Sequence, residues 1–425
     1  MPAIMLNDQR VEDSIGEEDL QAALKSHYHN FKGKPATCLC LPVAPRMYIA
    51  NLGDRFILKR WPGSGHEHAA NCDRYEAPLE ASGISKLMGH AIEEDPNTGN
   101  VNLTLGFALR RTPRQIDEMK KLVEKGQEAD IREGPAHQSN ARLQLRATLH
   151  YFWEGTKLNH WKPYMIGQRN WRFVHATLKD YAKHILTKGH ILANRLYIPE
   201  PFVAEDKERI RMRRRAFFQT VASNKATREL LMFIFEIKSF ERVDGGYAIT
   251  AKNVPDDRFY MSEDSFKVMM IRYQNEFGML KREQEKKPDP TDPPGHLMAL
   301  GTLSVKESGY TTIEDITVMM CTHNWIPIAD EIDDLLVKYS TSQKRQFMKP
   351  LRFNLGPGSA IASIVYLDTP DRATSLWVVR PNDSEALIER RDDAVGAGRT
   401  NHIFLNLGEA QLISDVLDPL PRQTG

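Results

Sequence analysis

Three of the four cysteines in this chain, Cys38, Cys40 and Cys72, stand in one short stretch that also holds His66 and His68. Thiolate and imidazole are the soft ligands that Zn²⁺ prefers, and four of them close a tetrahedron. The pattern is Cys38-x-Cys40 followed by His68-x3-Cys72, two ligands from each of two local elements. Four residues apart, His68 and Cys72 share a face if the chain is helical there. His66 is the alternative ligand, out of that register. Three thiolates and one imidazole leave no position for water, so the site reads as structural rather than catalytic. Two metal-free readings fit the same residues: buried free thiols beside an unrelated histidine, or thiol redox chemistry. A Cys-x-Cys disulfide would close a very tight ring. Cys321 lies far along the chain in the apolar run 316–321 and reads as a core thiol.

A second fragment with chemistry in it is Glu236-x-Lys238, at the end of the apolar run 230–237. Strand alternation puts both side chains on one face. A divalent-metal nuclease uses such a carboxylate to hold its metal and such a lysine to stabilise charge at the attacked phosphate. It also needs an upstream acidic ligand, and Glu200, between Pro199 and Pro201, is the nearest candidate. An ion pair at a strand end is the plain alternative.

The third feature is basic. Over 168–186 a helical period puts Trp171, Val174, Leu178, Ala182 and Ile185 on one side and Arg169, Arg172, Lys179 and Lys183 on a neighbouring one. Asp180 sits at the edge of that basic arc. The run Lys207, Arg209, Arg211, Arg213, Arg214 and Arg215 follows, with Glu205, Asp206 and Glu208 nearby. Together these cations could form one footprint for a phosphate backbone. Solvated helix faces would carry the same residues.

Composition narrows the field. Lys plus Arg is 57 and Asp plus Glu is 56, so only local patches, not the whole surface, can serve nucleic acid. Hydrophobic residues at 41% support an ordinary core that needs no metal for bulk stability. The longest apolar run, 230–235, is far below the roughly 20 residues that span a bilayer. Residues 1–20 are acidic and carry no apolar leader core, so a cytoplasmic protein without membrane contact is expected. There is no Gly-x4-Gly-Lys-Ser/Thr loop, no Gly-x-Ser-x-Gly elbow and no His-Glu-x-x-His pair.

Around these residues the chain resembles a bacterial family catalogued as domain of unknown function 1173. The resemblance is carried by Cys-x-Cys, Met47-Tyr48-Ile49-Ala50, Lys59-Arg60-Trp61-Pro62-Gly63 and His68-x3-Cys72. It continues through Trp161-Lys162-Pro163, Arg169-x-Trp171, Tyr197-Ile198-Pro199-Glu200-Pro201-Phe202, Glu236-Ile237-Lys238 and Phe347-Met348-Lys349-Pro350-Leu351-Arg352, covering about 35–380. It implies a setting on plasmids and integrative elements, and no reaction.

The elements expected to hold these residues make an α+β, multidomain chain. Residues 1–34 form an N-terminal helical segment with Ser14 as a possible cap. A zinc-stabilised β-rich module follows at 35–112. The central helical and β domain, 113–280, carries the basic patches and a β-hairpin turning at Asp244-Gly245-Gly246. It opens with an amphipathic helix at 113–125, built on Ile116, Met119, Leu122 and Val123, and a polar loop at 126–134. Its helix–loop–helix–strand order over 141–198 is that of a winged helix. Pro288, Pro290, Pro293 and Pro294 mark 281–295 as a linker to a C-terminal α/β domain at 296–425.

The function expected from these parts is that of a zinc-stabilised, non-enzymatic protein of a bacterial mobile element. It would bind DNA or a DNA-bound assembly of the element's other proteins. A Mg²⁺-dependent nuclease using Glu236 and Lys238, and a protein–protein adaptor without nucleic-acid contact, are the alternatives.

Overall fold

Asn7 and Asp8 both take left-handed backbone (φ 46° and 61°), the two-residue turn that matches strand twist, and fold the first strands into a hairpin. The resulting antiparallel sheet runs Gln9–Val11, Ile4–Leu6, Ala36–Cys38, Arg46–Asn51, Phe56–Arg60. Helix Glu17–Asn30 places Glu17, Glu18 and Asp19 at its positive end and buries Leu24 and His27. Its Gln21 amide completes the edge strand, donating to the Phe56 carbonyl and accepting from the Phe56 N–H, each at 2.8 Å. The computed structural model describes residues 3–423, except 13, 14, 32, 52–54, 79, 80, 85, 86, 97, 112–141, 288, 291, 357, 358 and 410. Ser14, the helix expected at 113–125 and the loop at 126–134 lie outside the described residues.

The chain divides into two units, 1–103 with 339–351 and 358–425, and 104–338 with 352–357. In the first unit the sheet above shares one core with the C-terminal strands Phe347–Met348, Ile364–Tyr366, Thr374–Val379 and Asn401–Asn406. Met47, Ile49, Phe56 and Tyr75 pack with Met348, Val365, Leu367 and Trp377. The expected separation of 35–112 from 296–425 is therefore corrected. Each small sheet has an apolar face too limited to stand alone, and the two bury each other.

The second unit is built on a barrel. Strand Leu231–Val243 turns through Gly245 and Gly246 into Gly246–Ala251, then Phe259–Ser262, and after two helices come His296–Val305 and Thr311–Cys321. Phe259–Ser262 pairs in parallel with Thr311–Cys321, which pairs with His296–Val305, and that strand returns to Leu231–Glu236. Five strands thus close into a ring, in the order first, second, third, fifth, fourth. Phe233, Phe235, Ile249, Phe259 and Leu300 are buried within this unit. Gly301 is needed where strands come close, since a Cβ there would meet the Asp315 carbonyl oxygen at 2.2 Å.

This closure also corrects the expected boundary at 281–295, which falls inside the second unit. The two helices after the third strand are Glu263–Arg272 and Gln274–Glu285, parted at Tyr273. Asp292, in the stretch read as a linker, is tied down by Lys338 at 3.0 Å and Lys286 at 3.5 Å. Helix Leu145–Gly155 packs on the fourth and fifth barrel strands. The helix expected over 168–186 is Trp171–Ala182, started by the Asn170 side chain accepting from Phe173 N–H at 3.0 Å. Its last residues instead form a hairpin, Ile185–Thr187 with His190–Ile191, turning at Lys188 and Gly189.

Glu276, on helix Gln274–Glu285, is a carboxyl that burial pushes up to about 6, with Arg146 offsetting only part of the cost. The folded state binds its proton more tightly than the unfolded chain does. The stability this contributes is full below about pH 4.5 and is lost as pH rises through about 6. Glu276→Gln should therefore gain stability over wild type by about 2 kcal/mol between pH 4 and pH 7. Denaturant titrations across that range measure it, and a pH-independent difference would contradict the assignment.

Candidate metal centre and candidate nucleic-acid surface

The first site lies in the N-terminal sheet of the first unit. Cys38 ends strand Ala36–Cys38, and Cys40 sits in the turn after it. His68 and Cys72 come from the opposite element. That element is not the helix expected from their spacing: a 3₁₀ turn, Gly65–Glu67, ends at His68 in extended backbone. A second turn, with Cys72 N–H donating to the Ala69 carbonyl at 2.9 Å, brings Cys72 round. Gly65 permits this approach, because a Cβ there would lie 2.6 Å from Glu76 Cβ.

The four ligand atoms of Cys38, Cys40, His68 and Cys72 lie within 4.8 Å of one another, close enough to hold a metal ion. Cys38 Sγ to Cys72 Sγ is 3.9 Å, Cys72 Sγ to His68 Nδ1 is 3.8 Å, and Cys40 Sγ to His68 Nδ1 is 3.5 Å. His68, not His66, is the histidine brought into the cluster. Cys38, His68 and Cys72 are buried and Cys40 is half-buried. Around the sulfurs stand donors suited to thiolate: Ala69 N–H on Cys40 and Arg74 N–H on Cys72, both at 3.4 Å, and the Arg74 guanidinium 3.7 Å from Cys38. The thiols of Cys40 and Cys72 hold Cys38 well below the usual thiol range, and Cys38 pushes both of theirs up. Cys321 is fully buried in strand Thr311–Cys321, and burial pushes its thiol up as well.

The basic residues, all in the second unit, divide sharply. Arg172, Lys179 and Lys183 are exposed on helix Trp171–Ala182 and its C-cap, opposite the buried Val174, Leu178 and Ala182. Lys183 also pairs with Asp180 at 3.0 Å. Arg169 is a correction. Its guanidinium donates to the carbonyls of Leu158 (2.9 Å), Asn324 (3.1 Å) and His160 and lies over the Trp161 ring. Burial pulls its pKa down to about 10, and it serves the loop before the helix rather than a ligand.

On helix Lys207–Gln219, carboxylates take most of the charge. Arg209 pairs with Asp206, Arg211 with Glu208 at 3.4 Å, and Arg213 with both oxygens of Glu200 at 2.9 and 2.7 Å. Arg214 is buried against Asp256 at 2.9 Å and Asp257 at 3.4 Å, so its place in a surface footprint is corrected too. Lys207 and Arg215 remain exposed. Glu200 is held below the usual carboxylate range first by its Arg213 bond and also by Lys179. The two basic segments therefore meet at Glu200. Sequence reasoning also missed Lys188, exposed at the tip of the hairpin after the helix. The Lys-Gly turn was the signal for it.

Glu236 and Lys238 do not form the expected pair. A bulge between Ile237 and Ser239 breaks the alternation at Lys238, which is exposed while Glu236 is buried. The Glu236 carboxylate instead accepts from Lys252 Nζ at 2.5 Å and contacts His296 Nδ1 at 2.8 Å. His296 stacks on Trp325, ring centres 3.7 Å apart. Glu200, the proposed upstream ligand, is engaged with Arg213.

A family model described as protein of unknown function (DUF1173) matches residues 6–403. No curated protein matches the chain. Among solved structures, the crystal structure of the S. pombe Stn1-ten1 complex is 14% identical, over 27% of this chain and 67% of that one. Its TM-score is 0.12, at which the likeness carries no argument. No helix among the described residues is long and apolar enough to cross a membrane.

If the Cys38–Cys40–His68–Cys72 cluster holds a metal, purified protein should contain one equivalent by elemental analysis. Cys72→Ser and His68→Ala should lose it and His66→Ala should keep it. Chelation or Cys72→Ser should cost at least about 3 kcal/mol, lowering the melting temperature of the first unit by roughly 10 °C. Wild-type protein that is metal-free and equally stable would refute the site.

Proposed function

The chain belongs to the DUF1173 family of proteins of unknown function, and from that premise we propose that it is a zinc-stabilised DNA-binding protein of a bacterial mobile element. Zinc is favoured by the donor set and by the distances. Bonds of about 2.3 Å to sulfur and 2.0–2.1 Å to nitrogen in a tetrahedron give S···S edges near 3.8 Å and S···N edges near 3.6 Å. The three distances above, 3.9, 3.8 and 3.5 Å, match those edges. With four protein ligands the ion has no open position, so its work is to cross-link the Cys38–Cys40 turn to the His68–Cys72 turn.

The observation that carries the DNA reading is the exposed basic face of helix Trp171–Ala182, preceded by helix Leu145–Gly155 and followed at once by a hairpin tipped by Lys188. Two helices and a hairpin in this order suit a helix laid in the major groove with the hairpin on the flanking backbone. Arg172, Lys179, Lys183 and Lys188 would contact phosphates, with Lys207 and Arg215 extending the footprint. Arg209 and Arg211 contribute less, since their charge is already matched by neighbouring carboxylates. A protein partner from the same element is the second reading. It is favoured by Val43, 87% exposed beside Leu41 on the turn that carries Cys40.

Affinity for duplex DNA should fall steeply with salt, each phosphate contact adding about 0.9 to the log–log slope. Replacing Arg172, Lys179 and Lys188 together by Ala should lower that slope by roughly 2–3 and weaken all duplex sequences alike. Replacing Arg209 and Arg211 by Ala should change the slope by less than about 1. Fluorescence anisotropy over a salt series measures both. The assignment fails if the second replacement has the larger effect, and the absence of binding at low salt leaves the protein-partner reading.

A further inference from the structure

The barrel of the second unit presents an aromatic surface that the duplex reading does not use. Along its third strand, Phe259 and Met261 are buried and Tyr260 between them points outward. Tyr310, at the end of the loop joining the fourth and fifth strands, lies on Tyr260 with ring centres 4.3 Å apart and planes within 13°. Tyr310 is 41% exposed. The Lys306 ammonium stands 5.2 Å from the Tyr310 ring centre.

The backbone under this pair is fixed. Lys306 N–H donates to the Tyr310 carbonyl and Gly309 N–H to the Lys306 carbonyl, both at 2.8 Å. Thr311 Oγ1 donates to the Arg258 carbonyl at 2.9 Å, tying the loop to the start of the third strand. Tyr260, half-buried, is paired in register with Ala248 on the second strand and Thr312 on the fifth, small residues that leave room for Tyr310 to lie on its ring. The pair faces outward from the core beside an exposed cation. Such a pair is what single-stranded nucleic acid uses: a ring for a base and an ammonium for the adjoining phosphate.

The topology points the same way. In five-stranded Greek-key barrels of the oligonucleotide-binding class, ligands lie on the second and third strands and the loops between strands one and two and four and five. Tyr260 is on the third strand and Tyr310 and Lys306 are in the four–five loop. Carboxylates on the flanking strands and in the loop include Glu307, held by Asn224 at 2.8 Å, Glu314, paired with Arg228 at 3.7 Å, and the exposed Glu241. Of these, Glu241 stands exposed on the outer part of the first strand.

We propose that Tyr260, Tyr310 and Lys306 form a single-stranded DNA site, in which a base stacks on Tyr310 and displaces the Lys306 ammonium onto its phosphate. The site is separate from the duplex face argued above. A labelled oligothymidylate of about 20 nucleotides and a labelled duplex are titrated at low salt against the full-length chain. Wild type should bind the single strand. Tyr310→Ala should weaken that binding roughly 5- to 100-fold, while Tyr310→Phe keeps it and duplex affinity stays within about twofold. Lys306→Ala should lower the single-strand salt slope by about 0.7. Because Tyr310 is exposed, Tyr310→Ala should melt with wild type. Duplex binding without single-strand binding, or single-strand affinity unchanged in Tyr310→Ala, overturns this site alone. Binding of neither overturns both readings.

Discussion

One strand does two jobs in this molecule, and much of the second unit depends on it. Leu231–Val243 pairs through Leu231–Glu236 with His296–Val305 and through Ile237–Val243 with Gly246–Ala251. A flat strand can hold a partner on each edge, but bringing both partners into one closed ring requires the strand to bend. The bulge at Lys238 supplies the local bend and twist. It also decides the chemistry nearby: it turns Lys238 to solvent and leaves Glu236 inside, where Lys252 and His296 satisfy its charge. A buried carboxylate without those donors would cost several kcal/mol. The Glu236 cluster is thus a consequence of barrel closure.

The first unit solves a different problem. Its N-terminal sheet has short strands, several of three residues, and offers little apolar surface of its own. Two devices compensate. The C-terminal strands lend Met348, Val365 and Trp377 to a common core, and four ligand side chains converge at one end of the sheet. A metal held there would join residues 34 positions apart, Cys38 and Cys72, and, bound only by the folded chain, would add its binding free energy to folding. Burial alone would hold the sheet's centre; the segments around Cys40 and 65–72 lie outside the strands and are where a bound metal would add most.

What was legible in the sequence followed from short-range chemistry. The Cys/His cluster could be read because ligand types are few and their spacing within each element is local. The Asp244-Gly245-Gly246 turn and the apolar face of helix Trp171–Ala182 were legible for the same reason. What escaped was set by long-range contact. The run Lys207 to Arg215 looks like free charge until Glu200, Asp256 and Asp257 are brought against it. Arg169 shares the period of Arg172 but precedes the helix cap at Asn170, so its side chain falls back into the loop. The bulge at Lys238 breaks a period-two argument that holds for every regular strand. Tyr260 and Tyr310 are 50 positions apart and meet only because the third and fifth strands run side by side.

These corrections change which charges matter. An exposed ion pair is worth about 0–1 kcal/mol, so the pairs at Arg209, Arg211 and Arg213 add little to the fold. They still remove most of the field those cations would project, because an approaching phosphate meets a carboxylate within 3–4 Å of each. Density of arginine along a sequence is therefore a poor guide to where a polyanion lies. In the sparser helix Trp171–Ala182, Arg172 and Lys179 make no salt bridge within 4 Å among the described residues and Lys188 lies just beyond, so more of its charge is open than in the denser run. Where Lys179 and Arg213 both approach Glu200, the protein sets a single carboxylate between its two basic segments. That carboxylate offsets part of the like charge on the two helices. Under the proposed DNA reading, a phosphate bridging the two segments would compete with it for Arg213.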